Sequence, residues 1–321
     1  MVPHPPVPVP VPQGNTTSTT QAEYNIVDRW AGQGFFDGWD FFSNPDPTNG
    51  MVNYVTRSEA TSANLAYVDG DGVAVMKVDS TKNLAQGQYR NSVRISSQKQ
   101  YDGGLFILDA ASIPWGWAVW GAFWTVGRDW PDHGEIDIVE GVNLASQNQM
   151  TVHSAPGCTI DTESTTPEGF KVNFRTSSIT STSCGSSPSN NGGCGFVDTN
   201  DLSFGQALND AGGAVYAMLW TADGIKIWTF PRSDVPADIT NQNPSPSTWD
   251  ARYLKAAWPS STCATKQFFQ QHAITFDITL CGDWAGGVYE GGPGGSCANQ
   301  VMRGSNFVDA QWRVNSVTVY Q

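Results

Sequence analysis

The chain has 321 residues, and its 30 acidic against 17 basic residues give a formal net charge of −13 at pH 7. Nucleic acids, anionic membranes and polyanionic polysaccharides bind to basic surfaces, so this charge argues against all three as partners. Only 15% of the residues are charged, whereas glycine and the aromatic residues are abundant, and no run of about 18 apolar residues could span a membrane. The composition indicates an extracellular all-β protein with long loops.

The chain begins with a segment of low complexity. Six of its first twelve residues are prolines, and Gln, Gly, Asn, Thr and Ser follow. Because such a segment has little apolar surface to bury, we expect residues 1–22 to form a disordered tail. The segment lacks the apolar core of a signal peptide, although the glycosylation sequon Asn15-Thr16-Thr17 fits secretion. From residue 23 to residue 321 the composition is uniform, which predicts one domain.

Strand patterns dominate this domain, and helical periodicity is nearly absent. The sequence Asp69-Gly70-Asp71-Gly72 predicts a hairpin turn, since it lacks the later carboxylates of a calcium loop. Many short strands with Gly- and Pro-rich turns predict an all-β sandwich or jelly roll. The polar stretch 159–209 predicts a long loop held by cysteines. The predicted strands are 73–78, 92–96, 104–109, 135–140, 150–153, 214–220, 225–228, 273–280 and 313–320.

The six cysteines suit an oxidising compartment. Their even number predicts up to three disulfides, with about 15 possible pairings left open, and buried free thiols are the alternative. Because no Cys-x-x-Cys pair is present, zinc and thioredoxin-like chemistry are not expected, and the sequence predicts neither a cofactor nor a metal. The six are Cys158, Cys184, Cys194, Cys263, Cys281 and Cys297.

The functional interpretation depends on an acidic strand that begins at Glu135. Acidic and apolar residues alternate there, so Glu135 and Asp137 share one face while Ile136 enters the core. Glu140 would face the core in a regular strand, where an unpaired carboxylate is very costly. One extra residue near 138–139, a β-bulge, returns Glu140 to the acidic face. We therefore expect three carboxylates in one cleft.

Paired carboxylates in a cleft indicate glycoside hydrolysis. In retaining enzymes one carboxylate is the nucleophile and the other acts as acid and then as base, about 5–5.5 Å apart. The alternative is an exposed acidic strand face or a cation site. Nearby aromatic residues favour a sugar site, because amphipathic indole rings suit a wet cleft. Five tryptophans precede the acidic strand, some expected to line the cleft and others to fill the core: Trp115, Trp117, Trp120, Trp124 and Trp130.

The motif Glu135-x-Asp137-x-x-Glu140, after Trp130-Pro131 and before Gly141, resembles the signature of glycoside hydrolase family 16. Within that family the chain is similar to fungal endo-1,3(4)-β-glucanases of the laminarinase and lichenase type, from about residue 24 to residue 321. The bulged motif separates it from members with Glu-x-Asp-x-Glu. The resemblance implies a concanavalin A-like jelly roll of two curved antiparallel sheets, and endo-hydrolysis with retention.

The resemblance also implies a role for individual residues. Glu135 would be the nucleophile, Asp137 the assisting acid and Glu140 the acid/base. His153 would lie beside the acid/base, with a satisfied core histidine as the alternative. Aromatic and hydrogen-bonding side chains would bind the sugar units, and the implied substrate-binding set is Tyr54, Arg94, Trp120, Trp124, Trp130, His153 and Trp284.

Three functions fit these residues to different degrees. The first is an endo-β-1,3(4)-glucanase that acts on laminarin, lichenan or cereal β-glucan. The second is a cell-wall transglycosylase, which uses the same nucleophile with a sugar acceptor. The third is a carbohydrate-binding lectin, which would not need the three carboxylates. The residues leave open the preference between β-1,3 and mixed β-1,3-1,4 linkages. We expect a secreted monomer whose partner is a β-glucan.

Overall fold

The computed structural model describes residues 24–161 and 176–321. The tail predicted at 1–22 therefore lies outside the described residues, as do residues 162–175 of the polar stretch 159–209. The described part contains eighteen strands, and its α-helices are short, with at most six residues each. The near absence of amphipathic helices is thus confirmed for this part of the chain.

The strands are β1 (Ile26–Ala31), β2 (Trp39–Phe41), β3 (Val52–Tyr54), β4 (Ala66–Val68), β5 (Ala74–Lys77), β6 (Arg90–Ser92), β7 (Arg94–Ser97), β8 (Gly104–Ser112), β9 (Val119–Val126), β10 (Glu135–Val142), β11 (Gln149–His153), β12 (Ser177–Ser181), β13 (Cys194–Asp198), β14 (Ala214–Thr221), β15 (Gly224–Pro231), β16 (Leu254–Pro259), β17 (Ala273–Leu280) and β18 (Gln311–Tyr320). The α-helices are α1 (Arg57–Ser62), α2 (Gly205–Asp210), α3 (Ala237–Thr240), α4 (Thr265–Phe268) and α5 (Cys297–Val301).

Two antiparallel sheets of eight strands each form the fold. The first, here named the support sheet, has the order β16-β15-β14-β8-β18-β5-β4, with β1 paired to β18. The second, the site sheet, has the order β12-β13-β11-β10-β9-β17-β7-β2. A separate parallel pair joins β3 and β6. The all-β sandwich predicted from the sequence is confirmed.

The two sheets pack against each other through alternate side chains. On β17, Ile274, Phe276 and Ile278 are buried in the core, as the predicted alternation requires. The ring of Phe276 lies 4.6 Å from that of Phe123 in the site sheet and 5.2 Å from that of Trp312 in the support sheet, measured between centroids. Each buried side chain of this kind contributes about 1.5–3 kcal/mol. Because this core covers one face of the site sheet, only the other face is available for a functional site.

The central strand of the site sheet, β9, is absent from the predicted strands. Gly121 and Ala122 interrupt its pattern, and both residue types are depleted in strands. Packing explains the glycine: a Cβ at Gly121 would lie 2.3 Å from Cγ of Pro114. Strands β1 and β16 are also missing from the prediction. Strand propensity fails to predict β9 because the close approach of Pro114 requires a residue without a side chain at position 121.

The polar stretch 159–209 is a loop only in part, so that prediction is wrong in its extent. Strands β12 and β13 extend the site sheet beyond β11, and α2 follows them. Phe196 of β13 is buried and packs edge-on against Trp258 of the support sheet, with ring centroids 5.2 Å apart. Few apolar residues anchor these strands, and the Ser- and Gly-rich composition around them hides their pattern.

Covalent and hydrogen-bonded links hold the loops, as predicted. The Asp69 carboxylate accepts hydrogen bonds from the backbone N–H groups of Asp71 and Val73, both at 3.0 Å, which confirms the hairpin turn between β4 and β5. No cysteine of the described chain is free. The three disulfides join Cys158 to Cys263, Cys184 to Cys194, and Cys281 to Cys297.

Candidate active site

The three acidic residues of the motif lie on β10, in the middle of the site sheet between β9 and β11. Asp137 and Glu140 lie opposite Trp124 and Ala122, which are two positions apart on β9. Because residues two apart on a strand share a face, Asp137 and Glu140 do so as well. The pair 138–139 supplies the extra residue that shifts the register. The bulge expected from the sequence is confirmed.

Asn148 holds the bulge in place. Its carboxamide accepts a hydrogen bond from the backbone N–H of Glu140 and donates one to the carbonyl of Ile138, both at 3.0 Å. Its own backbone N–H donates to Oγ of Ser203 at 2.9 Å. A bulge disrupts the ladder between strands, and unpaired buried backbone groups are costly. The buried amide of Asn148 therefore stabilises the register that places Glu140 in the site.

Burial dominates the electrostatics of the three carboxyl groups. Burial, and after it the charge of the neighbouring Asp137, raise the pKa of Glu135 to about 8. Burial also raises the pKa of Asp137, against the effect of a hydrogen bond shared with Glu135. The pKa of Glu140 is raised by burial and then by Asp137. Protons are therefore retained within this group at neutral pH, as a site with one acid and one base requires.

His153 lies beside Asp137, with Nε2 of the ring 3.3 Å from Oδ2 of the carboxyl group. Its Nδ1 forms a hydrogen bond of 3.0 Å with Oγ of Ser186. Ser186 and Gly193 belong to the loop that the Cys184–Cys194 disulfide closes. Gly193 lies so near that a Cβ there would be 2.8 Å from the imidazole ring. This loop therefore fixes the orientation of His153.

One shared histidine and several separate side chains oppose burial at the two glutamates. His153 lowers the pKa of both, and at Glu135 the indole of Trp130 and the charge of Arg94 lower it as well. Nε1 of Trp120 instead donates a hydrogen bond of 2.9 Å to Oε1 of Glu140. The surroundings thus favour the ionised form more at Glu135, the residue predicted to be the nucleophile, than at Glu140, the predicted acid.

Arg94 lies between two aromatic rings on the same face of the sheet. Its guanidinium carbon is 4.7 Å from the centroid of Phe42 and 4.9 Å from that of Trp124. Nε1 of Trp124 donates to Oδ2 of Asp277 at 3.2 Å, and Asp277 faces Arg94 across the strand pair. Burial raises the pKa of Asp277 to about 7, against the effect of Arg94. Trp124 therefore lies beneath Arg94 and contacts a fourth buried carboxyl group.

The remaining predicted substrate-binding residues lie around this group. The ring of Trp284 meets that of Trp120 edge-on, with centroids 5.7 Å apart. Trp130 is half-buried beside Glu135, and the contact with its indole lowers the pKa of that carboxyl group. The hydroxyl of Tyr54 is buried and forms a hydrogen bond of 2.6 Å with Oγ1 of Thr279. Two other tryptophans, Trp115 and Trp117, are partly buried and pack against the core.

Three residues of the site were not predicted from the sequence: Asp277, Asn148 and Ser186. Asp277 carries a usable signal, since it is the only charged residue in the alternating strand β17 and falls on its polar face. Asn148 and Ser186 carry no such signal. Each acts through contacts with a strand, and the residues next to it in the sequence do not indicate those contacts.

The chain matches the family model described as "XgeA-like, catalytic GH16 domain" over residues 39–320. A probable glycosidase of Schizosaccharomyces pombe is 40% identical over 303 residues, which cover 93% of this chain and 69% of that protein. A probable endo-1,3(4)-beta-glucanase of Neosartorya fischeri is 38% identical over 310 residues, which cover 93% of this chain and 46% of that protein. The chain spans about half the length of most curated relatives that it matches.

Two solved structures are similar over nearly the whole chain. One is the GH16 Laminarinase 16A from Phanerochaete chrysosporium, with 6-O-glucosyl-laminaritriose in its donor and acceptor sites; it has a TM-score of 0.84 and 36% identity, over 94% of this chain and 100% of that one. The other is an elongating GH family 16 beta-1,3-glucosyltransferase, with a TM-score of 0.82 and 35% identity, over 93% of this chain and 100% of that one.

Proposed function

The chain belongs to glycoside hydrolase family 16, and on that premise we propose that it is a retaining endo-1,3(4)-β-glucanase. It would cleave internal β-1,3 or β-1,4 linkages in laminarin, lichenan or cereal β-glucan. The observation that carries the proposal is the bulge in β10, which brings Glu135, Asp137 and Glu140 to one face of the site sheet. A face of this kind, with tryptophans around the buried Asp137 and the half-buried Glu135 and Glu140, suits an oxocarbenium-like transition state.

The reaction proceeds by two displacements at the anomeric carbon. A carboxylate oxygen of Glu135 attacks this carbon and forms a glycosyl ester, while Glu140 gives its proton to the departing glycosidic oxygen. Glu140, now ionised, then takes a proton from water, and the water oxygen displaces Glu135. Asp137 assists because its charge opposes ionisation of Glu140. The hydrogen bond from Trp120 to Glu140 orients the proton donor.

We assign the substrate contacts by the exposure of each group. Trp130, Trp120 and Trp284 present indole rings on which glucose units stack. The guanidinium of Arg94 donates to sugar hydroxyl groups, and Trp124 supports it from below. The hydroxyl of Tyr54 contributes to substrate binding indirectly, through its hydrogen bond with Thr279. His153 positions Asp137.

Transglycosylation is the second candidate. It is favoured by the similarity to the elongating glucosyltransferase, whose identity and TM-score nearly equal those of the laminarinase. The first displacement would be the same, and a sugar hydroxyl would replace water in the second. A lectin function is not favoured, because binding alone gives no reason to gather three carboxyl groups, one buried and two half-buried, on one face.

We further propose that residues 23–321 form one catalytic domain, since both sheets contribute to a common core. No helix in the described ranges is long and apolar enough to cross a membrane. The three disulfides suit an oxidising compartment, and they support secretion of the protein. The domain is proposed to act as a monomer on a polysaccharide substrate.

The test is product analysis on laminarin and on lichenan, with NMR of the first product formed. We expect oligosaccharides of several lengths from the start, a product that is initially the β-anomer, and none of these with the Glu135→Gln variant. An initial α-anomer would contradict the retaining mechanism. Products longer than the starting oligosaccharide would favour transglycosylation, and glucose as the sole early product would contradict endo-action.

A further inference from the structure

Two strands of the site sheet bring three metal-ligating side chains together. Glu135 and His153 are direct partners across β10 and β11, and Asp137 follows two positions along on the same face. One oxygen or nitrogen atom from each of the three lies within 4.8 Å of the other two. Because all three are anchored on neighbouring strands, their relative positions are set before any ligand arrives.

The spacing suits a small tetrahedral ion. Zinc bonds to imidazole nitrogen and carboxylate oxygen are about 2.0–2.2 Å long, so ligand atoms around it lie about 3.3–3.5 Å apart. Nε2 of His153 and Oδ2 of Asp137 already have this separation, at 3.3 Å. The flexible side chain of Glu135 can close the remaining distance. An imidazole with two carboxylates also selects zinc-like ions over magnesium and calcium, which prefer six or more oxygen ligands.

An unpartnered atom points to a ligand at this place. Asp137 is only 2% exposed, yet its Oδ2 has no hydrogen-bond partner in the described residues. The contact with His153 is short, but it lacks hydrogen-bond geometry, so the nitrogen and the oxygen can both face a third atom. The other ring nitrogen of His153 is held by Ser186. Such an outer hydrogen bond is what most metal-ligating histidines have.

We propose that Glu135, Asp137 and His153 form an inhibitory site for one divalent cation of the zinc class. Coordination occupies the carboxylate oxygen of Glu135 that would attack the sugar, so cation and substrate exclude each other. The binding does not depend on the proposed glucanase activity, whereas the inhibition does.

Binding is tested first, by equilibrium dialysis of the full chain against ZnCl2. We expect one tight zinc ion per chain, and an affinity at least tenfold weaker in His153→Gln and in Asp137→Asn. His133→Gln is the matched control, because the nearest carboxylate to that histidine, of Asp129, is 3.7 Å away and lies outside the cluster. Zinc should raise the melting temperature of the wild type and of His133→Gln, but not of His153→Gln. Circular dichroism verifies that each variant is folded.

Inhibition is tested with the wild type and His133→Gln on laminarin. Zinc should raise the apparent KM without changing kcat, EDTA should reverse the effect, and MgCl2 should have none. The proposal is overturned if no zinc binds, if His153→Gln binds it as tightly as the wild type, or if saturating zinc leaves hydrolysis unchanged. A wild type that binds zinc through His153 but hydrolyses no β-glucan would contradict the proposed function and retain the metal site.

Discussion

Asp79 and Asp137 are both buried, but their surroundings shift their pKa values in opposite directions. Burial acts against ionisation of Asp79, yet hydrogen bonds from Thr81 and Lys82 outweigh it and lower the pKa. Its Oδ1 accepts from the backbone N–H and the hydroxyl of Thr81, at 2.8 and 2.7 Å. At Asp137 burial prevails and raises the pKa to about 8.

The difference lies in what the protein supplies to each carboxyl group. The turn at Asp79 provides donors from its own next residues, as structural carboxylates generally require. Asp137 receives no such donors at Oδ2 and faces the carboxyl groups of Glu135 and Glu140 instead. Hydrogen-bonding capacity that the fold does not use remains available for protons, substrate or an ion. Unsatisfied burial therefore distinguishes Asp137 from Asp79.

The largest effect is expected from Glu135→Gln. An amide cannot form the glycosyl ester, so kcat/KM should fall by about 1,000-fold or more, which corresponds to about 4 kcal/mol. The assay is hydrolysis of soluble β-glucan. Asp132→Asn, which neutralises an exposed carboxylate three positions upstream, is the control and should stay within about twofold of the wild type. A loss below about tenfold for Glu135→Gln would remove it as the nucleophile.

A smaller effect, on stability alone, is expected from Asp79→Asn. Loss of the charge-assisted hydrogen bonds should lower the free energy of unfolding by about 1–3 kcal/mol at pH 7, with kcat unchanged. Because the folded-state pKa of Asp79 is lowered, its contribution is present above the unfolded pKa of about 4 and disappears as the pH falls through the folded value. Urea unfolding at pH 7 and pH 3 tests this.

The exposed Asp71→Asn is the control for that measurement, and it should change stability by less than about 0.5 kcal/mol. If Asp79→Asn were as stable as the wild type at pH 7, its hydrogen bonds would not explain the contrast with Asp137. If it lost turnover while folded, the division between structural and functional carboxyl groups would be wrong.

The smallest effect is a shift in the pH profile of Asp137→Asn. After burial, the charge of Asp137 is the main influence that raises the pKa of Glu140. A neutral amide removes that charge, so Glu140 should lose its proton at lower pH, and the alkaline limb of kcat/KM should move down by about half a pH unit or more. Profiles of wild type and variant on one substrate measure the shift. An unmoved limb would leave Asp137 with a purely structural role.

The sequence supports the prediction of the fold wherever a strand alternates cleanly. β17 and the first part of β10, residues 135–138, do so, and in both cases the predicted inward residues are buried. The prediction fails at β9, where Gly121 is present to admit Pro114. It also fails at the edge strand β12 and its neighbour β13, where polar residues hide the strand pattern. Such residues are explained by contacts with segments outside the strand, which the strand's own sequence does not show.

For the site, the spacing of Glu135, Asp137 and Glu140 by itself determined that a bulge must exist, because a regular strand would bury Glu140 in the core. Only the tertiary structure decided what holds the bulge and what surrounds it. Asn148 satisfies the freed backbone groups, and Asp277 adds a fourth carboxyl group from another strand. The physical reason is that periodicity along one strand fixes the face of a side chain, whereas hydrogen bonds and burial depend on neighbours that only folding brings together.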